Sequence, residues 1–109
     1  MTTLTRRSAL AALLAAPFAL LARKSHAAAH SVTIEGFAFS PESLTVAVGD
    51  TITFTNNDGA PHTATADDGS FDTGRLNRGD SAEVTVTSAG EIAYRCAFHP
   101  AMRGTIAAS

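Results

Sequence analysis

Three residues near the carboxyl end of this sequence carry side chains that bind soft metal ions. Cys96, His99 and Met102 follow one another at intervals of three and offer a thiolate, an imidazole and a thioether. Two histidines and a cysteine, with a weak and distant methionine, form the ligand set of mononuclear copper sites that transfer electrons. His62, which follows Pro61, is the candidate for the second histidine. The pattern therefore predicts a copper site built from these four residues.

Short strands separated by turn residues must hold these side chains in place. Strands are predicted where alternating segments lie between clusters of Gly, Asn and Asp, at residues 31–35, 44–48, 51–55, 62–65, 82–87, 91–96 and 105–107. No segment after residue 30 has a sustained helical period, so the pattern favours an antiparallel all-β sandwich or barrel. Ile92, Tyr94 and Cys96 share one face of their strand. If that face is the core, the sulfur of Cys96 points inward at one end of the sandwich.

The first 29 residues are predicted to be a cleaved export signal. Arg6 and Arg7 precede an apolar run from residue 9 to residue 21, and small residues follow at 25–29, as in a secretory signal. The run is shorter than the roughly 20 apolar residues that span a membrane. Because the paired arginines also resemble a twin-arginine signal, we favour that route. Cleavage is expected after Ala27 or Ala29, and residues 30–109 are expected to form the domain.

Removal of the signal changes the charge of the protein. The full chain has eight basic and ten acidic residues, but four of the basic residues lie in the signal and all ten acids lie after residue 30. The mature domain therefore carries four basic and ten acidic residues and a formal charge of −6. The absence of a basic patch argues against nucleic acid as a partner. A protein partner is expected to be basic or to dock through apolar contacts, and no membrane anchor is expected after cleavage.

The chain contains a single cysteine, which limits the roles that this residue can have. Exported domains of this size often pair their cysteines in disulfides, so a lone thiol there is either buried and inert or bound to a ligand. A buried structural cysteine is common, but His99 and Met102 at regular spacing after Cys96 favour a metal ligand. A structural zinc site fits less well, because methionine is not a usual zinc ligand.

Three motifs occur together in the mature chain. They are Cys-x2-His-x2-Met at residues 96–102, Pro-His at residues 61–62, and His-Pro-x-Met-Arg-Gly at residues 99–104. In this combination the chain resembles the cupredoxins, the small blue, type 1 copper proteins, over residues 31 to 107. The spacing within the ligand loop is similar to that of amicyanin. Plastocyanin and pseudoazurin have two more residues between the last histidine and the methionine.

The resemblance implies both a fold and a cofactor. The fold would be a Greek-key β-sandwich of about eight strands, and the cofactor would be one copper ion that alternates between Cu(I) and Cu(II). The ligands would be His62, Cys96, His99 and Met102, and the function would be one-electron transfer in the periplasm. Many members of the family have Asn at the position of Thr63, where the side chain helps to tie the two ligand segments together.

Residues beside the ligands suggest how the site would work. Pro100 has no N–H group, so it cannot donate a hydrogen bond to the thiolate, and we expect it to influence the reduction potential. Phe98, Pro100, Ala101 and the pair Ala60-Pro61 are apolar. They are expected to surround His99 as a docking patch for redox partners, such as a c-type cytochrome or a periplasmic dehydrogenase, on a monomeric protein.

Two other functions could use the same residues. A protein that binds and delivers copper would need exposed, exchangeable ligands, whereas Cys96 is expected to point inward. An oxidase or nitrite reductase needs further histidines for a catalytic copper, and the mature chain has only His30 besides the two predicted ligands. The leading hypothesis is therefore an electron carrier that is not an enzyme, with copper delivery as the alternative.

Overall fold

Eight strands make up the secondary structure of residues 27–109, the part of the chain that the computed structural model describes. They are β1 (Ala29–Ile34), β2 (Phe39–Ser40), β3 (Ser43–Val46), β4 (Thr51–Asn56), β5 (Thr65–Ala66), β6 (Ser81–Thr85), β7 (Gly90–Arg95) and β8 (Arg103–Ala108). These residues contain no helix that is long and apolar enough to cross a membrane. Residues 1–26, with most of the predicted export signal, lie outside the described part.

The strands form two four-stranded sheets, with the orders β2-β1-β4-β6 and β3-β8-β7-β5. The predicted all-β fold of about eight strands is therefore confirmed. The antiparallel expectation is wrong for two pairs, because β1 with β4 and β3 with β8 run parallel. Alternation in a sequence shows which face of a strand is buried, but it does not show which strand lies beside it. After β2 the chain passes to the second sheet for β3 and returns to the first for β4, which makes the parallel pairing possible.

The core lies between the two sheets and follows the alternation of the strands. Ile34 of β1, Ile52 and Phe54 of β4, and Ile106 of β8 are fully buried, and each such side chain contributes about 1.5–3 kcal/mol by leaving water. An aromatic cluster surrounds Tyr94, whose ring lies 4.7 Å from that of Phe39 and 5.5 Å from that of Phe54. These contacts join the two sheets, because Phe39 and Phe54 belong to one sheet and Tyr94 to the other.

The strand β7 carries the face that points at the predicted site. Ile92 and Tyr94 of β7 are 4% and 1% exposed, and Cys96, directly after the strand, is 0% exposed. The predicted inward direction of the cysteine is therefore confirmed. The predicted strand at residues 62–65 is mostly wrong. Only Thr65 belongs to a strand there, β5, while His62 forms an isolated bridge with Leu76.

Candidate metal centre

Three of the four predicted ligands bring their donor atoms together at one end of the sandwich. The sulfur of Cys96 lies 3.6 Å from Nδ1 of His62 and 3.6 Å from Nδ1 of His99. The donor atoms of these three residues all lie within 4.8 Å of one another. Two chain segments separated by more than thirty residues meet here, one around His62 and the other following β7.

The spacing of these atoms fits a metal ion placed between them. Bonds of about 2.0 Å to imidazole nitrogen and about 2.3 Å to thiolate sulfur are usual for first-row metals. Such bonds would enclose an angle of about 110° if they ended on atoms 3.6 Å apart. That angle lies near the 120° of a trigonal plane, the arrangement in which two histidines and a cysteine hold copper.

His62 is held in place through both its backbone and its side chain. Its backbone exchanges two hydrogen bonds with Leu76, of 3.0 and 2.7 Å, and its side chain is fully buried. Nε2 lies 2.8 Å from a carboxylate oxygen of Asp58. Because a carboxylate can only accept, Nε2 carries a proton, and in the neutral ring Nδ1 then keeps its lone pair on the side that faces Cys96. The carboxylate therefore fixes both the orientation and the tautomer of this imidazole.

Asp58 also fixes the turn between β1 and β2. It accepts hydrogen bonds from the backbone of Gly36 and Phe37, at 2.8 and 2.9 Å. The Phe37 bond, together with the Gly36 and His62 bonds, holds the pKa of Asp58 below its usual range. Asp58 was not predicted from the sequence, because nothing in the local pattern shows that a loop carboxylate faces a histidine four residues later. Only the folded turn brings the three donors to it.

Phe37 covers the two histidines and was also missed. Its backbone has a φ of 57°, which is uncommon for a residue other than glycine. The bonds to Asp58 hold it in this conformation. Its ring meets those of His62 and His99 edge to face, with centroids 4.9 and 5.0 Å away. The ring is half exposed, so it forms part of the surface above the site.

Thr63 connects the two segments that carry the ligands. Its backbone N–H donates to the sulfur of Cys96 at 3.3 Å, and its hydroxyl oxygen accepts a hydrogen bond from the N–H of Ala97 at 2.8 Å. The same hydroxyl lies 2.9 Å from that of Thr65, which donates in turn to Asp72. Thr63 thus connects the two ligand segments. The resemblance implies that Asn makes this connection in many relatives.

Backbone hydrogen bonds close the loop from Cys96 to Met102 on itself. The N–H of Cys96 donates to the carbonyl of Met102 at 3.0 Å, and the N–H of Met102 donates to the carbonyl of His99 at 2.9 Å. Met102 is buried and His99 is half buried. The fourth predicted ligand therefore lies in the same closed loop as Cys96 and His99, beneath the surface.

The surface around His99 is largely apolar. Phe98 is 48% exposed, Pro100 and Ala101 are exposed, and Pro61 is half buried. Phe37 adds a second large ring, 52% exposed, to the apolar patch expected from the sequence. We call Phe37, Pro61, Phe98, Pro100 and Ala101 the rim of the site.

Comparison with known proteins identifies the family of the chain. It matches the family model of the cupredoxin-like domain over residues 8–108 and belongs to that family. Plastocyanin A/B from Petroselinum crispum is 39% identical over 75 residues, which cover 59% of this chain and 77% of that protein. The chloroplastic plastocyanin of Chlamydomonas reinhardtii is 35% identical over 72 residues, which cover 56% of this chain and 50% of that protein.

Solved structures share the same fold. A purple cupredoxin from Nitrosopumilus maritimus has a TM-score of 0.67 at 31% identity, over 73% of this chain and 99% of that one. A reduced variant of amicyanin has a TM-score of 0.69 at 30% identity, over 74% of this chain and 82% of that one. The resemblance to cupredoxins with an amicyanin-like fold is confirmed. The predicted copper cofactor agrees with this family and with the grouping of His62, Cys96 and His99.

Proposed function

We propose that this protein is a periplasmic one-electron carrier in which His62, Cys96, His99 and Met102 hold a single type 1 copper ion. The observation that carries the proposal is the buried sulfur of Cys96 with an imidazole nitrogen 3.6 Å away on each side. Membership of the cupredoxin-like family supports it. When bound, copper supplies one electron that it gains and loses reversibly.

The chain contributes rigidity and exclusion of water. Cys96 and His62 are 0% exposed, so neither side chain is hydrated. Asp58 orients the ring of His62, and Thr63 ties the backbone of Ala97 to the other ligand segment. Donor groups held in place by the fold need little rearrangement when the charge of the site changes by one, which lowers the barrier to electron transfer.

His99 and the rim provide the route for the electron. His99 is the one imidazole of the site that reaches the surface, because His62 is fully buried. An apolar rim allows a partner to approach closely and to exclude water between the two proteins. The formal charge of −6 after cleavage favours partners with a basic or apolar face, such as a c-type cytochrome or a periplasmic dehydrogenase. The carrier works as a monomer and is not an enzyme.

The proposed location rests on the first residues of the chain. The segment before the domain acts as a signal of the twin-arginine type that is cleaved after Ala27 or Ala29, and the domain that remains functions in the periplasm. The basic start, the apolar run and the small residues at 25–29 support this assignment. A twin-arginine route would also deliver the domain already folded, with its ligands in place.

The copper-delivery alternative is testable with the same protein. A delivery protein must release copper readily, whereas Cys96 and His62 are buried and the N–H of Thr63, next to His62, donates to the sulfur of Cys96. We expect slow loss of copper to a chelator from both oxidation states. Rapid loss from both states would favour delivery over electron transfer.

Absorption and EPR spectra of the copper-loaded, oxidised protein test the central proposal. We expect an intense thiolate-to-copper band in the visible range, one copper per chain, and reversible one-electron reduction. Cys96→Ser should abolish the band. His30→Gln should keep it, because His30 contacts Asp50 rather than the donor group. If the wild-type protein lacks the band, the proposal is wrong.

A further inference from the structure

Three donors from two separate regions of the chain converge on one carboxylate, that of Asp50. Its Oδ1 accepts the N–H of Ala28 at 2.9 Å, and its Oδ2 accepts the N–H of Ala47 and lies 2.9 Å from Nε2 of His30. Asp50 is only 5% exposed. The Ala47 bond closes the local turn before β4, but Ala28 and His30 lie 22 and 20 residues away in sequence.

The two residues before His30 belong to the fold rather than to a leader. The carbonyl of Ala28 accepts a hydrogen bond of 3.0 Å from the N–H of Thr51. Ala29 opens β1 and pairs with Thr51 in the parallel register. Cleavage after Ala29 would remove both residues and leave Asp50 without one of its donors. Cleavage after Ala27 keeps every one of these contacts.

We propose that the signal is cleaved between Ala27 and Ala28, and that Asp50 is the receptor for the new terminal ammonium group of Ala28. Ser25 and Ala27 supply the small residues that a signal endopeptidase requires before the bond. In the hydrolysis, water gives its hydroxyl group to the carbonyl carbon of Ala27 and a proton to the nitrogen of Ala28. The freed amine then takes a further proton from solvent.

Cleavage between Ala27 and Ala28 would give Asp50 a partner of opposite charge. In the uncleaved chain Ala28 offers a neutral amide N–H, whereas after cleavage the same nitrogen is a cation at hydrogen-bond distance from the carboxylate. A charge-assisted hydrogen bond is roughly twice as strong as a neutral one, and pairing with a cation stabilises a carboxylate that is only 5% exposed. Cleavage at this bond therefore tightens the attachment of β1 to β4.

Asp50 lies at the opposite end of the sandwich from the metal centre. β4 runs from Thr51, beside Asp50, to Asn56, whose side chain donates to the carbonyl of Ala60 next to the His62 segment. Changes at the terminus are thus expected to alter stability and to leave the copper spectrum unchanged. This inference rests on the proposed export signal, but it does not depend on electron transfer.

The first experiment locates the cleaved bond. The full chain is exported in a Gram-negative host, the copper-loaded protein is purified, and its intact mass and terminal sequence are determined. We expect a chain that begins at Ala28. A chain that begins at Ala29, at His30 or at any other residue would overturn this inference while leaving the export proposal standing. A chain that remains uncleaved would overturn both.

The second experiment tests the receptor role without any substitution. Copper-loaded chains that begin at Ala28 and at Ala27 are compared, since residues 27–109 contain all eight strands. The longer chain moves the ammonium group one residue away from Asp50. We expect the Ala28 chain to have a melting temperature about 4–8 °C higher, because its bond to Asp50 is charge-assisted whereas that of the longer chain comes from a neutral amide.

Asp50→Asn in both chains completes the comparison. The amide keeps the shape of the side chain but loses its charge, so the difference in melting temperature between the two starts should disappear. Equal melting temperatures for the two wild-type starts would overturn the receptor role, whether or not the Asn variant folds. The visible copper spectrum should be the same in all four proteins, which shows that the effect arises at the terminus.

Discussion

Individual residues around the sulfur of Cys96 determine how much negative charge it keeps. The sulfur receives one backbone hydrogen bond, from Thr63 at 3.3 Å. Pro100, in the same loop, has no N–H to offer. Each donated hydrogen bond withdraws charge from the thiolate and so disfavours the oxidised site, which carries the larger positive charge. The number of donors around this one atom is therefore expected to set the reduction potential.

Replacing Pro100 by Ala is expected to raise the reduction potential. The new N–H can donate to the thiolate, and a net hydrogen-bond contribution of about 0.5–1.5 kcal/mol corresponds to about 20–60 mV for one electron. Protein-film voltammetry of the copper-loaded variant measures the change. Ala101→Gly loosens the same loop without adding a donor and should leave the potential nearly unchanged. A potential for Pro100→Ala that is equal to or below that of the wild type would refute the explanation.

Replacing Thr63 by Val is expected to weaken the connection between the two ligand segments. Valine has nearly the shape of threonine but cannot accept the hydrogen bond from Ala97, which costs about 1 kcal/mol. We expect a lower free energy of unfolding in urea and faster copper loss to a chelator. Thr63→Ser keeps the hydroxyl group and is the control. The Ser variant should lose copper at the rate of the wild type. If the Val variant also does so, the hydroxyl group of Thr63 does not connect the two segments.

At the scale of strands, the pairing of β7 with β8 depends on one glycine. Gly104 lies opposite Tyr94 in the register of the two strands, and a Cβ added there would lie 2.8 Å from Cε1 of the tyrosine ring. The ring cannot move aside easily, because Phe39 packs against it with centroids 4.7 Å apart. The close approach of the backbone to the ring therefore requires glycine.

Gly104→Ala is accordingly expected to destabilise the fold by about 1–3 kcal/mol, the usual effect of an overfilled core. Urea unfolding of the copper-loaded protein measures this loss. The matched background is Tyr94→Leu, which removes the ring atoms that the new methyl group would meet. In the Tyr94→Leu background, Gly104→Ala should lower the free energy of unfolding by clearly less than in the wild type. The effects of the two substitutions should therefore be non-additive. Additive effects would show that the ring is not the cause.

The elements also show which parts of the fold could be predicted from the sequence. Thr51 to Thr55 alternate cleanly, and the local pattern was sufficient to predict β4. The two-residue strand β2 is too short to leave such a pattern, and the parallel pairing of β1 with β4 depends on contacts between distant segments. The candidate ligands could be proposed because their types and spacing are local, and the structure brings the donor atoms of His62, Cys96 and His99 together. Asp58 and Phe37 reach the site only through the folded turn.

At the scale of the whole molecule, several aspartates make stability depend on acid pH. The N–H groups of Ala28 and Ala47 and the ring of His30 lower the pKa of Asp50 from 3.8 to about 2. Arg103, followed by Arg95, lowers the pKa of Asp67 as well. Because these pKa values are lower in the folded than in the unfolded state, the unfolded chain binds more protons as pH falls, and stability decreases.

The resulting prediction is a loss of stability between about pH 4 and pH 2. Above pH 4 the contribution of Asp50 is fully present, and it disappears as pH falls through its folded pKa of about 2. Urea unfolding at a series of pH values measures the free energy. Asp50→Asn removes this contribution, so its free energy of unfolding should fall less steeply in that range. Parallel curves for the variant and the wild type would contradict the assignment.

The charge of the molecule and its apolar rim together determine how two copies exchange an electron. Both copies would carry a formal charge of −6 after the proposed cleavage, and their repulsion acts over a screening length of about 10 Å at 0.1 M salt. Transfer between a reduced and an oxidised copy requires their His99 faces to meet, since His62 is fully buried. We therefore expect the self-exchange rate, measured by NMR in mixtures of the two states, to rise with ionic strength.

Phe98→Asp tests whether that contact occurs at the rim. A charge placed in the contact must lose water when the faces meet, and a cost of about 1.4 kcal/mol slows exchange tenfold. Val48→Asp is the matched control, because Val48 is 45% exposed against 48% for Phe98 but lies in the turn near Asp50, at the opposite end of the sandwich. It adds the same charge to the molecule and should reduce the rate only slightly, by repulsion that salt removes. If only Phe98→Asp slows the exchange, and does so at all salt concentrations, the contact lies at His99. If both variants slow the exchange equally, net charge governs it and the rim is not the contact.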